Sequence, residues 1–255
     1  MKLVLRGAAV AATAMVVAGA VSCTDVPTSD NAVLSIAVDS LPSPSVVLGD
    51  TLRDSTGTAV AIHATVYNFK GAVVANAPVR FHALDGGLRV DSITGFAIGD
   101  SVRTTPSRVA VSIGNLQAIQ TLDVTLRPDT VVAVNARDSL VYSLVDSTKN
   151  ISPALSVKVR HSLTSADSAV KSYLVSFAVV SPADTLLAIL VNDAGLASRV
   201  DTTDASGVAG RKIKLNPVRL TSLTDSIIVR ATVKYLGLQL RGSPVRLVLL
   251  LKPGA

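Results

Sequence analysis

The sequence predicts an all-β protein built of two tandem antiparallel β-sandwiches, and three observations support this. The chain has 255 residues, of which 49% are hydrophobic, which is enough to form buried cores. It contains no Trp and no Glu, so all 18 acidic residues are Asp. Its composition, rich in Val, Ser, Thr and Asp, favours strands and turns over helices. Apolar and polar residues alternate with period two, and no sustained 3.6-residue pattern follows Val21.

Residues 1–22 have the character of a signal peptide. Lys2 and Arg6 precede an uncharged run over residues 7–21, which is shorter than the roughly 20 residues of a membrane-spanning helix. The run ends in the letters AVSC, and Cys23 is the only Cys of the sequence. The alternatives are a plain secretory signal with an incidental cysteine, or an uncleaved anchor.

This segment resembles a bacterial lipoprotein signal, whose lipobox has an aliphatic residue, two small residues and the lipid-bearing Cys. Ala20 stands where that family prefers Leu. The resemblance implies that Cys23 carries three acyl chains, of the palmitate kind, each buried CH₂ contributing about 0.8 kcal/mol. Thr24, rather than Asp, follows the Cys, which by the same resemblance implies the outer membrane. Residues 23–32 then form the lipidated Cys and a polar tether.

The first predicted sandwich covers residues 33–128. The alternation is clearest in residues 58–67, 77–84 and 119–127, each of which predicts a half-buried strand. The inward positions are Val60, Ile62, Ala64, Val66, Val79, Phe81, Ala83, Leu122, Val124 and Leu126. Glycine-containing turn signals separate these strands.

The second predicted sandwich covers residues 129–253 and begins where Pro128 and flanking charges break the pattern. Its strands are predicted over residues 140–145, 155–159, 173–180, 185–191, 208–215, 227–235 and 245–251. Such spacing is typical of antiparallel sandwiches. The apolar run at residues 247–251 is too short to span a bilayer and predicts a final strand buried on both faces.

Two segments of the chain resemble each other. ATVYNFKGAVVANAPVRF at 64–81 and ATVKYLGLQLRGSPVRL at 231–247 share an ATV strand, a glycine turn and a PVR strand start. The first of these, together with VDTTDASGVAG at 200–210, resembles bacterial immunoglobulin-like domains of the invasin and intimin type. The resemblance implies tandem immunoglobulin-like sandwiches that act as spacers or adhesive arms at the cell surface, without an active site.

The residue inventory argues against an enzyme, a metal site or a cofactor. A single Cys and the lack of Glu exclude Cys-rich zinc sites and HExxH motifs. His63 and His82 would be either a transition-metal pair or, as we favour, two surface histidines. Asp201 and Asp204 near a glycine turn would either bind calcium or, as we favour, stabilise a plain turn.

Basic residues gather in the second half of the chain. Lys212 and Lys214 share one face of their strand, and Arg230 and Lys234 share one face of theirs. If the two strands pair in one sheet, the four residues form a patch for an anionic glycan or polysaccharide. The alternative is a solvated sheet face. Nucleic acid is not expected as a partner, because the chain is exported and lacks aromatic stacking platforms.

The sequence therefore favours a lipid-anchored cell-envelope protein with a structural or adhesive role, held to the membrane by its N-terminal lipid. It would present its sandwiches at the outer membrane to an unknown protein or polysaccharide, for example by strand addition at an open sheet edge. The second hypothesis is a non-enzymatic binding module for an anionic glycan that uses the basic sheet face.

Overall fold

The computed structural model describes residues 32–163, 166–221 and 225–254, and its regular elements are strands. Within these ranges two single-turn 3-10 helices, Ser147–Lys149 and Pro217–Arg219, are the exceptions. No helix in the described ranges is both long and apolar enough to cross a membrane. The predicted all-β class is confirmed.

The strands are numbered in chain order. Those of the first half are β1 Val33–Val38, β2 Ser45–Val47, β3 Ala64–Asn68, β4 Arg80–Ala83, β5 Leu88–Val90, β6 Ala97–Gly99, β7 Ser107–Ile113 and β8 Leu116–Thr125. Those of the second half are β9 Thr130–Ala133, β10 Arg137–Tyr142, β11 Leu155–Leu163, β12 Ala166–Ala169, β13 Leu174–Ser181, β14 Ala188–Val191, β15 Val200–Thr202, β16 Val208–Leu215, β17 Ser226–Thr232, β18 Lys234–Tyr235, β19 Leu238–Gln239 and β20 Val245–Pro253.

The first half is built around a four-stranded sheet in the order β2-β8-β7-β4. Two further pairs, β1 with β3 and β5 with β6, contribute side chains to the same core. Leu52, Val109 and Leu122 lie at its centre and are 1% exposed or less. Each buried side chain of this size stabilises the fold by about 1.5–3 kcal/mol relative to an exposed one.

The second half is a sandwich of two sheets. One has the order β10-β20-β17-β13-β15 and the other β12-β11-β16-β14, with β9 paired to β11. Val157 and Ile213 from the second of these sheets meet Phe177, Val229 and Leu247 from the first in one core. The predicted β-sandwich class is confirmed for this half, in which two sheets share one core.

The two cores are separate along the sequence. The first is drawn from residues between 36 and 124, and the second from residues between 126 and 251. Leu126 is thus the earliest residue that packs against the second core. Because each core is local in sequence, each half buries its own apolar surface.

Two strand pairs differ from the predicted antiparallel pattern. β2 pairs with β8 in parallel, and β10 pairs with β20 in parallel. A parallel pair needs a long crossover connection. In both halves this connection contains most of the residues, because a strand near the start of the half pairs with its last strand.

The alternation of faces is confirmed in several strands. In β4, Phe81 is buried while Arg80 and His82 are exposed. In the last strand, Leu247 and Leu249 are fully buried and Val248 is 9% exposed, but Leu250 on the outer face is 40% exposed. Burial on both faces is therefore correct for part of that strand only.

The strand predicted over residues 140–145 is displaced toward the N-terminus. β10 ends at Tyr142, and Val145 is 98% exposed. The Ser143 hydroxyl accepts hydrogen bonds from the amides of Val145 and Asp146, which turns the backbone out of the strand. Apolar letters alone cannot show this, because the competing bond comes from a polar side chain.

Four turns share the pattern Asp or Asn, two residues, then Gly. They begin at Asp54, Asn68, Asn192 and Asp204. In each, the glycine amide donates to the carbonyl of the first residue, and the first residue's amide donates to the carbonyl of the fifth. The four glycines have φ between +74° and +92°, a left-handed conformation that glycine adopts without a steric cost.

Candidate functional site

The predicted lipidation site, Cys23, lies outside the described residues, as do the signal peptide and all of the tether except Ala32. The lipid anchor therefore stays a prediction.

The predicted basic patch is divided by the fold. Lys212 and Lys214 lie on β16, whereas Arg230 lies on β17 in the opposite sheet and Lys234 on the short strand β18. Ile213 and Val229, their strand neighbours, point into the common core. Because side chains alternate along a strand, the cations of β16 and β17 point outward on opposite sides of the sandwich. The expectation that the four residues share a sheet is wrong.

The separate cations have different surroundings. The Lys212 ammonium lies 2.9 Å from the exposed carboxylate of Asp193. Arg230 faces Arg246 directly across the β17–β20 pair, a repulsive arrangement. Lys234 lies at the contact between the two halves.

Asp201 and Asp204 each serve the local backbone. Asp201 pairs with Arg211 at 2.7 Å and accepts the Gly210 amide. Asp204 accepts the amides of Ser206 and Val208 within its own turn. The described residues contain no cluster of three or more His, Cys, Asp or Glu side chains that could hold a metal. The geometry supports a stabilised turn at this place.

The contact between the two halves brings together polar residues that lie far apart in sequence. The Lys171 ammonium donates to Asp123 at 3.1 Å and to the carbonyl of Arg103 at 2.8 Å. The Ser172 hydroxyl donates to the other oxygen of Asp123, and the Ser45 hydroxyl donates to the carbonyl of Ser172. One carboxylate of β8 thus receives two donors from the segment that precedes β13.

A second polar group at this contact is centred on Asp50. Arg53 donates to both carboxylate oxygens, at 2.7 and 2.8 Å, and the Thr51 amide donates at 2.8 Å. The Tyr235 hydroxyl, from the second half, donates at 2.9 Å. Burial opposes ionisation of Asp50, but the bonds from Arg53, Thr51 and Tyr235 outweigh it and hold the pKa of that carboxyl below its usual value.

Two tyrosines of the second half lie beside Asp50. Burial raises the pKa of the Tyr173 hydroxyl, and the charges of Tyr235 and Asp50 raise it further. Burial and the bond to Asp50 also raise the pKa of Tyr235. Both hydroxyls therefore stay protonated and act as donors, Tyr173 to the carbonyl of Lys234 at 2.7 Å.

Two glycine turns touch backbone to backbone at the same contact. A Cβ added to Gly57 would lie 2.2 Å from the amide nitrogen of Gly237. A Cβ added to Gly237 would lie 2.8 Å from the carbonyl oxygen of Thr56. Both glycines also have positive φ. This approach is therefore open to glycine alone at both positions.

The segment that joins the two halves is held by side chains of the second half. Arg127 lies over the ring of Tyr235, 5.3 Å from its centroid. The His161 ring nitrogen Nδ1 lies 2.7 Å from the carbonyl oxygen of Arg127 and 3.0 Å from Asp129. Since both neighbours are acceptors, Nδ1 carries the proton and donates.

These contacts border a cleft of about 530 Å³ between the two halves. One wall is the segment that contains Asp50 and Gly57, and the other contains Tyr173, Ser176 and Thr232. The sequence did not indicate this cleft, because its walls lie more than a hundred residues apart. One signal was available in the sequence. Residues 236–237 are predicted to form a glycine turn, but the sequence does not indicate what that turn packs against.

No family model and no curated protein matches the chain. Among solved structures, domains 4 and 5 of the S-layer protein SbsC share 12% identity over 86% of this chain and 98% of that one, with a TM-score of 0.31. The structure of SbsC domains 1–6 shares 12% identity over 87% of this chain, at a TM-score of 0.31, and this chain spans 28% of its length.

Two further solved structures are similar to the chain at a comparable level. EC1-2 of human protocadherin-24 shares 13% identity over 88% of this chain and all of that one, with a TM-score of 0.28. The I9–I11 tandem of titin shares 9% identity over 86% of this chain and 66% of that one, with a TM-score of 0.25. TM-scores this low carry no inference about function, so the proposals below rest on contacts within the chain.

Proposed function

We propose that the chain is a lipid-anchored structural or adhesive protein of the cell envelope, in which two immunoglobulin-like sandwiches form one rigid arm. The observation that carries the proposal is the polar contact between the halves, above all the bond from Tyr235 to Asp50 across 185 residues of sequence. Two domains of one chain move relative to each other by default, because their interface is usually small. Specific hydrogen bonds between the halves oppose that motion.

Rigidity has a physical purpose in an arm that presents a binding surface. Each residue that is already ordered before a partner arrives saves conformational entropy on binding. The contacts of Asp50 and Asp123 order the approach of one half to the other, and the bond from His161 orders the joining segment. A partner on another cell or in the surrounding matrix would then meet a surface of fixed shape.

The charged groups at the contact support a non-enzymatic role. Asp50 is bonded to Arg53, and Asp123 is bonded to Lys171. A general acid or base must exchange its proton with a substrate, so a group held by a fixed counter-charge is poorly suited to that task. We assign these residues to holding the two halves together.

The anchor is supported by the sequence. Cys23 follows a short uncharged run and is the only thiol in the chain. Three acyl chains on that sulfur and on the new amino terminus would hold the protein at a membrane, since one chain alone binds reversibly. We propose the outer membrane as the location because Thr24 rather than Asp follows the cysteine.

Labelling with radioactive palmitate in the source cells tests the anchor. The wild type and Ser22→Ala should incorporate label and fractionate with membranes, whereas Cys23→Ala should do neither. Protease added to intact cells then reports whether the arm faces outward. Absence of label from the wild type would refute the lipid anchor.

Electron–electron distance measurement tests the rigid arm. The full exported chain with Cys23→Ala receives spin labels through Ile119→Cys in β8 and Val141→Cys in β10, both 55% exposed. A narrow distance distribution is expected because the contact between the halves fixes their relative position. A broad distribution in the otherwise native protein would contradict the proposal.

A further inference from the structure

The cleft between the two halves has the size of a small-molecule site. Its volume of about 530 Å³ lies within the range of about 300–1,000 Å³ that is usual for such sites. It is lined from both halves, so a ligand in it would contact both walls at once. The chemistry of each wall indicates which class of ligand would fit.

The wall from the second half offers hydroxyl groups on a sheet face. Ser176 of β13 and Thr232 of β17 are directly opposite each other in the antiparallel register, so their side chains lie side by side on one face. Neither hydroxyl has a hydrogen-bond partner among the described residues. Leu174, two positions before Ser176, adds an apolar surface to the same wall.

The wall from the first half offers a further hydroxyl and little net charge. Thr51 lines the cleft, and its amide is bonded to Asp50. The charges of Asp50 and Arg53 compensate each other, and Asp54 accepts the amides of its own turn. A charged ligand would therefore find few uncompensated groups on this wall.

Aromatic rings complete the lining. Tyr173 and Tyr235 both line the cleft, and their hydroxyl protons are already donated to Lys234 and Asp50. What the rings can still offer a ligand is apolar surface. Lys234 and Asp54 also line the cleft, so with the Asp50–Arg53 pair its lining carries two cations, two carboxylates and no net charge.

We infer that this cleft binds an uncharged saccharide. Sugar hydroxyls both donate and accept, which matches the hydroxyls of Thr51, Ser176 and Thr232. The C–H faces of a sugar ring pack on apolar and aromatic side chains such as Leu174 and Tyr235. The inference rests on the proposed adhesive function, because it names the partner class that the rigid arm would present a site for.

Binding should also stabilise the arm. A ligand that contacts both walls binds the native arrangement of the halves and not the unfolded chain. The protein's free energy of unfolding should rise with ligand concentration.

The test uses the full exported chain with Cys23→Ala. Glucan, mannan and galactan oligosaccharides of two to six sugars form the neutral panel, and a heparin oligosaccharide is the anionic comparison. Binding is measured by calorimetry and by saturation-transfer NMR. At least one neutral oligosaccharide should bind, and the double variant Ser176→Ala, Thr232→Val should weaken that binding at least tenfold.

Two further variants keep the result interpretable. Thr121→Val removes an exposed strand hydroxyl outside the cleft and should leave binding unchanged. Ser176→Leu, at an exposed position where folding should be preserved, should abolish binding by filling the cleft. Failure of every neutral oligosaccharide to bind, or binding of heparin alone, overturns the saccharide site. If the Cys23→Ala chain shows a narrow spin-label distance distribution but binds no neutral oligosaccharide, the saccharide site is refuted and the rigid arm is not.

Discussion

At the scale of single residues, Asp50 is the group whose charge contributes most directly to the contact between the halves. Its carboxylate accepts two bonds from Arg53 and one from Tyr235, and its side chain is 14% exposed. Because these bonds lower its pKa in the folded protein, the stability it contributes is present above its unfolded pKa. That stability is lost as the pH falls through the lowered value.

Asp50→Asn should therefore destabilise the protein at neutral pH but not in strong acid. The expected loss is about 1–2 kcal/mol at about pH 7. It shrinks in strong acid, as the pH falls through the lowered pKa of Asp50 and the wild-type carboxylate itself becomes protonated. Urea unfolding at the two pH values measures it. An equal loss at both would show that the charge is not the cause.

Asp85→Asn is the matched control for that experiment. Asp85 is bonded to Arg108 at 2.9 Å through two nitrogens, but both residues belong to the first half. Hydrogen bonds from Arg108 lower the pKa of Asp85 to about 2. This variant should leave the spin-label distance between the halves unchanged, whereas Asp50→Asn should broaden it.

Gly57 provides a second test at the residue scale. Gly57→Ala should destabilise the protein more than Gly71→Ala, although both glycines have positive φ. The left-handed conformation costs alanine about 1–2 kcal/mol at either site. Only at Gly57 would the added methyl also collide with Gly237, whereas nothing lies within 4 Å at Gly71. Thermal unfolding measures the difference, and equal losses would refute the backbone contact.

At the scale of elements, every strand that the sequence predicts in the second half has a counterpart in the structure, whereas β9, β12 and β15 were not predicted. β16 runs from Val208 to Leu215, which is the range that the sequence predicts. The sequence predicted β10 too far toward the C-terminus, because the Ser143 side chain bonds to the backbone and ends the strand early. The pairing of these strands was harder to predict than their existence. The partner of β16 depends on turns and long-range contacts and not only on the residues of β16 itself.

The division of the basic patch has the same origin. The alternation within each of these strands predicts which side chains point outward, and Lys212 and Arg230 do point outward from their own strands. Period-two patterning does not state which sheet a strand joins. The residues of the junction, Asp50 and Tyr235, were missed for a related reason, because no local pattern links positions 185 residues apart.

The turn at residues 204–207 gives a prediction about calcium. The Asp204 carboxylate already accepts two amides and the Ser206 hydroxyl. Added calcium should therefore leave the Tm unchanged, while Asp204→Ala should lower it by several degrees through loss of the turn. Asp100→Ala, which removes an exposed pair with Arg89, is the control and should have little effect. A rise of the Tm with calcium would contradict the plain turn.

At the scale of the whole molecule, the halves are joined by contacts of different kinds that lie apart from one another. Asp123 with Lys171, Asp50 with Tyr235, and His161 with the joining segment each fix one point of the approach. Two bodies joined at a single point can still rotate about it. Several separated points of contact remove that freedom, which is why we expect the halves to unfold as one cooperative unit.

Lys171→Met tests this cooperativity. The lysine is 22% exposed and pairs with Asp123, so its loss should weaken the contact by about 1–3 kcal/mol and leave both cores intact. Calorimetry should then resolve two transitions where the wild type has one, most clearly when Asp50→Asn is added. Lys149→Met, which removes an exposed lysine 3.9 Å from Asp146, should keep a single transition. Two transitions already in the wild type would mean that the contact between the halves is too weak to make them one arm.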